Sequence, residues 1–202
     1  MLKKALSPRK SIRNTSDAKP AIYPAAVVMK GATIGLGSVV GSFSFVAKGA
    51  VLGRGVRIQS HTSVWDGVTL DDHVFVGPGA MFTNVRKPRA EFPQAPHWDR
   101  THIKRGATIG AHATIVAPCI VGTYAMIGAA CTVTRDVDDF AVMVGSPARR
   151  IGYTCRCGEL REPKRCENKC PCAASLPGVS SKASRGRVGP KPSPSSRRER
   201  KQ

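Results

Sequence analysis

Five histidines, His61, His73, His97, His102 and His112, are the residues of this chain best suited to proton transfer near neutral pH. His97 and His102 fall in a polar, proline-stiffened stretch and are the stronger base candidates. His73 sits inside a regular repeat and reads as structural. His112 is the weaker candidate for a ligand contact. A three-histidine metal site from His61, His97 and His102, shared between chains, is the minor alternative. Asn84 stands just ahead of the polar stretch. Its amide can orient a nucleophile or donate to an oxyanion, or it can simply accept a corner conformation. Cys155, Cys157, Cys166, Cys170 and Cys172 place five thiols within 18 residues. Cys155, Cys157, Cys170 and Cys172 match the ligand number of a tetrahedral zinc, although the spacing is not the usual Cys-x-x-Cys pairing. A metal-free tail is the equal alternative.

The elements that must position these groups follow from a period of six. Branched apolar residues recur from Ile22 through Val28, Ile34, Val40 and Val46 to Val76, and Phe82 closes the run. The series resumes at Ile103 and runs through Ile109, Ile115, Val121 and Ile127 to Val133. Four places after most of them comes a small or β-branched residue such as Ala26, Ala50, Thr62, Cys119 or Cys131. Six is neither the helical period nor a hairpin spacing. A hexad supplies a short strand and a turn, and three hexads make an 18-residue triangular coil that stacks on the next about 4.8 Å away. The expected fold is all-β, a parallel β-helix whose interior takes the large hexad residues, with Cys119 and Cys131 in its core. Fifteen extra residues, Pro88 to His102, interrupt the period and must leave the prism as an excursion; long ordered loops on rigid scaffolds are usually functional.

Composition sets the remaining bounds. With 202 residues, 20 glycines and 5% aromatics, the chain suits one core of short strands and tight turns. No run of about 18 apolar residues is present, so no transmembrane span is expected, and the basic N-terminus lacks an apolar secretory segment. A reducing, cytoplasmic location is the expectation. The net charge of +19 is concentrated at the ends: residues 173–202 carry eight Lys/Arg against Glu199, and residues 1–17 five against Asp17. The expected organisation is a disordered basic segment over 1–20, a repeat domain over 21–145, a Cys-bearing extension over 146–172 and a disordered basic tail over 173–202. Polyanion binding by the tails is possible in principle and is not favoured over simple solvation.

Several stretches in order carry a resemblance. They are Ser63-Val64-Trp65-Asp66-Gly67 onward to Gly77-Pro78, Phe82-Thr83-Asn84-Val85 with Pro88-Arg89-Ala90-Glu91, and Lys104-Arg105-Gly106-Ala107-Thr108-Ile109-Gly110-Ala111. Val144-Gly145-Ser146-Pro147-Ala148-Arg149 and Ile151-Gly152-Tyr153-Thr154-Cys155-Arg156-Cys157-Gly158-Glu159 complete the set. Over residues 21–160 the chain resembles the bacterial hexapeptide-repeat acyltransferases, and among them the N-acetyltransferases of 3-amino sugars linked to UDP or dTDP. The Cys-x-Cys-Gly ending favours the branch acting on UDP-2-acetamido-3-amino-2,3-dideoxy-glucuronate. The resemblance implies a left-handed β-helix and a homotrimer with active sites between subunits. It also implies acetyl transfer from acetyl-CoA, by direct amine attack, for surface-polysaccharide (lipopolysaccharide) precursors.

On that reading Asn84, His97 and His102 are the expected catalytic residues, and Gln59, Arg89 and Glu91 hold the sugar. Acetyl-CoA would run along Gly110, Ala111, His112, Gly128 and Ala129, with Arg135, Arg149 and Arg150 meeting its phosphates. The chain departs from the family pattern in three places. Gly41-Ser42-Phe43-Ser44-Phe45 stands for Trp-His-Phe-x-His, one coil is missing between Gly53 and Gln59, and Ser60-His61 and His112 replace asparagines. A sugar O-acetyltransferase, which needs a positioned histidine among His97, His102 and His112, is the second expectation. A catalytically silent trimeric scaffold is the third.

Overall fold

The computed structural model describes residues 18–161, apart from Gln94 and Pro96. Residues 1–17 and 162–202 lie outside the described residues, and with them the expected disorder of both ends, Cys166, Cys170 and Cys172. Seventeen short strands, from Ala21–Ile22 to Thr132–Val133, fall one per hexad, and each ends on the branched apolar residue of its unit. They stack into three parallel faces. The first carries six of these strands, the second six and the third five. Partners are one coil apart, Val39 beside Arg57 and Arg57 beside Phe75. The architecture is a left-handed parallel β-helix, and among the described residues there is no helix.

The reason is side-chain alternation on a very short strand. In Phe75–Val76, for example, Phe75 faces solvent while Val76 is wholly buried. Leu52, Ile58, Leu70, Phe82, Ile103 and Ile109 fill the prism and are at most 1% exposed. The small residues sit beside them at the corners: Ala50, Ala80, Ala107 and Cys131 are wholly buried. The first coil is different. Its inward residue Ile22 is 44% exposed, because no coil among the described residues lies above it.

The corner between the first and second faces turns through left-handed backbone at Phe43, His61, Gly79, His112 and Ala130, with φ between 54° and 66°. At the far end Ala141–Val144 still stacks in parallel on the first face. The chain then reverses, and Arg149–Thr154 and Leu160–Arg161 add two antiparallel strands to that face. This hairpin gives the last parallel strand of the first face a backbone partner. It occupies part of the stretch set apart by sequence as a Cys-bearing extension.

The excursion leaves between the second and third faces, after Met81–Phe82, and the third face resumes with Thr101–Ile103. Thr101 Oγ1 is the buried side-chain polar atom without a hydrogen-bond partner among the described residues. Thr101→Val should therefore hold or raise stability by up to about 1 kcal/mol, read from the urea midpoint, since it removes an unpaired hydroxyl without changing shape.

Candidate active site

Asn84 forms the root of the excursion. Its carbonyl accepts the Asp99 N–H at 3.0 Å, which closes the two limbs of the loop on each other. Its Nδ2 donates to the Asp66 carbonyl, one coil away, at a long 3.4 Å. Asp66 in turn accepts the Gly49 N–H through Oδ1 at 2.6 Å, so Asn84 rests on a column tied down over three coils. Beyond the neck, Arg89, Glu91 and His97 are exposed. Arg89 Nη1 donates to the Pro88 carbonyl at 2.9 Å.

His102 corrects one expectation: it is not in the loop. It is the outward residue of the Thr101–Ile103 strand, in ladder with Thr69 on one side and Ile120 on the other. The chain has rejoined the prism by Thr101, because Thr101 is needed to fill the interior while His102 turns out. Its Nε2 lies 2.8 Å from Asp71 Oδ1, both groups being partly buried.

The third face around these residues is grooved. A groove of about 520 Å³ is lined by Arg100, His102, Pro118, Cys119, Ile120, Arg135 and Asp136. A second, of about 320 Å³, is lined by Gly49, Asp66, Gly67, Thr69, Trp98 and Arg100. Arg100 belongs to both, so the two meet at the foot of the excursion. Arg100 and Arg135 have no ion-pair partner among the described residues. Asp136 Oδ1 is occupied by the Ile120 N–H at 2.8 Å.

Cys119 is 2% exposed, and burial first, then the negative charge of Asp136, pushes its thiol from 9.0 up to about 12. Burial also raises Cys131. Both thiols stay protonated and unreactive in the native state. The unfolded chain loses the Cys119 proton near pH 9 while the folded chain keeps it. Stability should thus fall as pH rises from 9 toward 12, and Cys119→Ala should flatten that slope in urea titrations.

Of the residues expected at the acetyl donor, Arg135 lines the groove of the third face, on the acceptor side, and the others stand elsewhere. Gly110, Ala111, His112, Gly128 and Ala129 follow the strands Thr108–Ile109 and Met126–Ile127 at the corner between the first and second faces. In a three-sided prism that corner is opposite the third face. Gln59 and His61 belong to the same corner, so one chain does not gather His61, His97 and His102. Arg150 Nη1 donates to Asp138 Oδ2 at 2.7 Å and lies over the Tyr153 ring, while Arg149 Nη1 donates to the Ala148 carbonyl.

Among the described residues no three His, Cys, Asp or Glu side chains converge as a metal site. Cys155 and Cys157 do meet, Sγ to Sγ at 2.6 Å, on a turn closed by the Gly158 N–H on the Cys155 carbonyl. Sequence reasoning missed Asp71 and underrated Arg100. Once the 15 residues of the excursion are discounted, Asp71 falls two short of a full coil before His102, and that offset was the available signal.

Repeat, faces and excursion define a hexapeptide-built left-handed β-helix with a loop-rooted groove on one face. No protein-family profile matches the chain. A dTDP-3-amino-3,6-dideoxy-alpha-D-galactopyranose 3-N-acetyltransferase of Aneurinibacillus thermoaerophilus is 55% identical over 58 residues, 29% of this chain and 30% of that protein. A serine acetyltransferase of Buchnera aphidicola subsp. Acyrthosiphon pisum is 31% identical over 149 residues, 74% of this chain and 44% of that protein. The acetyltransferase domain of PglB from Neisseria gonorrhoeae superposes with a TM-score of 0.58 at 28% identity, over 67% of this chain and 58% of that one. The chain thus spans less than half the length of these two curated relatives. It shares the repeat and the β-helical fold of these acetyltransferases. No helix among the described residues is long and apolar enough to cross a membrane.

Proposed function

We propose that the protein transfers the acetyl group of acetyl-CoA to the 3-amino group of a nucleotide-linked sugar, a UDP-linked amino-sugar uronate by sequence resemblance, in the cytoplasm. The observation that carries this reading is the 55% identity over 58 residues to a nucleotide-sugar 3-N-acetyltransferase. The groove supports it. Asn84 at the loop root offers an amide to orient the amine or to meet the developing oxyanion. Arg100 and Arg135 offer guanidinium groups to an anionic acceptor, and His97, Arg89 and Glu91 line the approach through the loop.

The amine lone pair attacks the thioester carbonyl, the C–S bond breaks, and the surplus proton leaves with the thiolate. Positioning supplies most of the rate, because a free amine is already nucleophilic. Purified protein should release thiol from acetyl-CoA in the presence of UDP- or dTDP-linked 3-amino sugars. Release with none of them would end this reading. Arg100→Ala and Arg135→Ala should each raise KM for the sugar nucleotide about tenfold with little change in kcat, as expected for lost ground-state contacts.

The donor corner and the acceptor groove lie on opposite sides of the prism, so the reading requires neighbouring copies to complete each site. We take the assembly to be a homotrimer, which sedimentation tests directly. Cys155, Cys157, Cys170 and Cys172 would supply the four thiolates of a zinc site with a structural role only, for which Cys155 and Cys157 would have to part from their 2.6 Å approach. Metal analysis of the full chain against a Cys155→Ser, Cys157→Ser variant decides it. Transfer to a sugar hydroxyl is the second reading, favoured by the His102–Asp71 pair and by the likeness to a serine acetyltransferase. Release with the 3-hydroxy counterparts, and not the amines, would establish it.

A further inference from the structure

We propose that Asp71 is a positioning residue that fixes the tautomer of His102 and makes it the proton acceptor of the groove. This rests on the acetyl-transfer reading above. An ionised carboxylate can only accept hydrogen bonds, so at 2.8 Å the His102 Nε2 must be the protonated nitrogen. Nδ1 then carries the basic lone pair.

The placement is specific. His102 comes from the strand that the chain enters on leaving the excursion, and Asp71 follows the strand one coil below. The ring walls the groove that holds Arg100 and Arg135, whereas Asp71 belongs to the neighbouring depression with Thr69, Asp72 and Arg105. Asp72 has its own partner, Arg105 Nη1 at 3.3 Å, which leaves the Asp71 carboxylate to the imidazole. A purely structural surface pair needs neither a groove on the far side of the ring nor a place at the loop foot.

In the reaction, the acceptor nitrogen forms its bond to the acetyl carbon and becomes positively charged. One of its protons passes to His102 Nδ1. The C–S bond breaks, and the imidazolium returns that proton to the departing thiolate. Acceptor and acetyl-CoA are thus converted to amide and free thiol, with the imidazole regenerated.

The test joins a structural and a kinetic measurement on the full chain. Long-range ¹⁵N–¹H correlation of labelled histidine should show His102 with its proton on Nε2, and Asp71→Ala should lose that preference. The same variant should lower kcat about a hundredfold with KM within about threefold, the scale of one acid–base contribution, and Asp71→Glu should recover most of the loss. A wild-type proton on Nδ1 would overturn the assignment, as would unchanged kcat in either Asp71→Ala or His102→Gln. If the wild type transfers acetyl to no acceptor, the functional reading fails and the catalytic role with it. The tautomer seen in that sample would still report separately on the pairing.

Discussion

Alanine at Gly110 is expected to remove about 3–5 kcal/mol of folding stability, the upper range for a single substitution, measured by urea denaturation. A Cβ built there would stand 2.5 Å from the Ala129 nitrogen, 2.6 Å from the Gly128 carbonyl carbon and 2.7 Å from the Ile127 oxygen. All three atoms are backbone of the next coil, so no flexible side chain can yield. Relief would require prising two coils apart, which breaks the Gly110 N–H bond to Ile127 and the Ala130 N–H bond to Ala111. Gly152→Ala is the internal control. Nothing lies within 4 Å of its Cβ position, and the same substitution should be nearly neutral there.

Asn84→Ala should lower kcat by about 10²–10³-fold, the size of one lost oxyanion or positioning donor, while stability falls by about 1 kcal/mol or less. The geometry separates the two effects. The bond that closes the loop neck uses the Asn84 main-chain carbonyl, which alanine keeps. The side-chain bond to Asp66 is long at 3.4 Å and only partly buried, so its loss costs little. A variant with native stability and native turnover would reduce Asn84 to a corner residue and move attention to His97.

The course of the chain was legible because a hexad carries its own geometry. Val40, Leu52, Ile58, Val76 and Phe82 point inward for the same reason that they recur, and the break after Phe82 marked the excursion. The C-terminal hairpin was not legible, since Arg149–Thr154 leaves the period and pairs antiparallel. The end of the loop was misplaced at His102, because a threonine in an inward position does not announce a strand. The Asp71–His102 pair was hidden for a related reason: the partners are 31 residues apart, and only the stacking of coils across an insertion brings them together. Arg150 was assigned to phosphates without sight of Asp138, which lies across the turn into that hairpin.

The stacking of equal coils also governs which lengths of gene this protein can gain or lose. Residue 39 faces 57 and 57 faces 75, whereas the excursion stretches the next step to 108 without disturbing alignment on either side. A lineage can therefore shed or add 54 nucleotides at a time, or lengthen a corner at will, and every later turn keeps its lining. Loss of a single codon within a strand is different. It carries the greasy side chain of that turn to the outside and misaligns all that follows, because neighbours on a strand face opposite ways. Inherited length changes should consequently cluster at corners or come in whole turns.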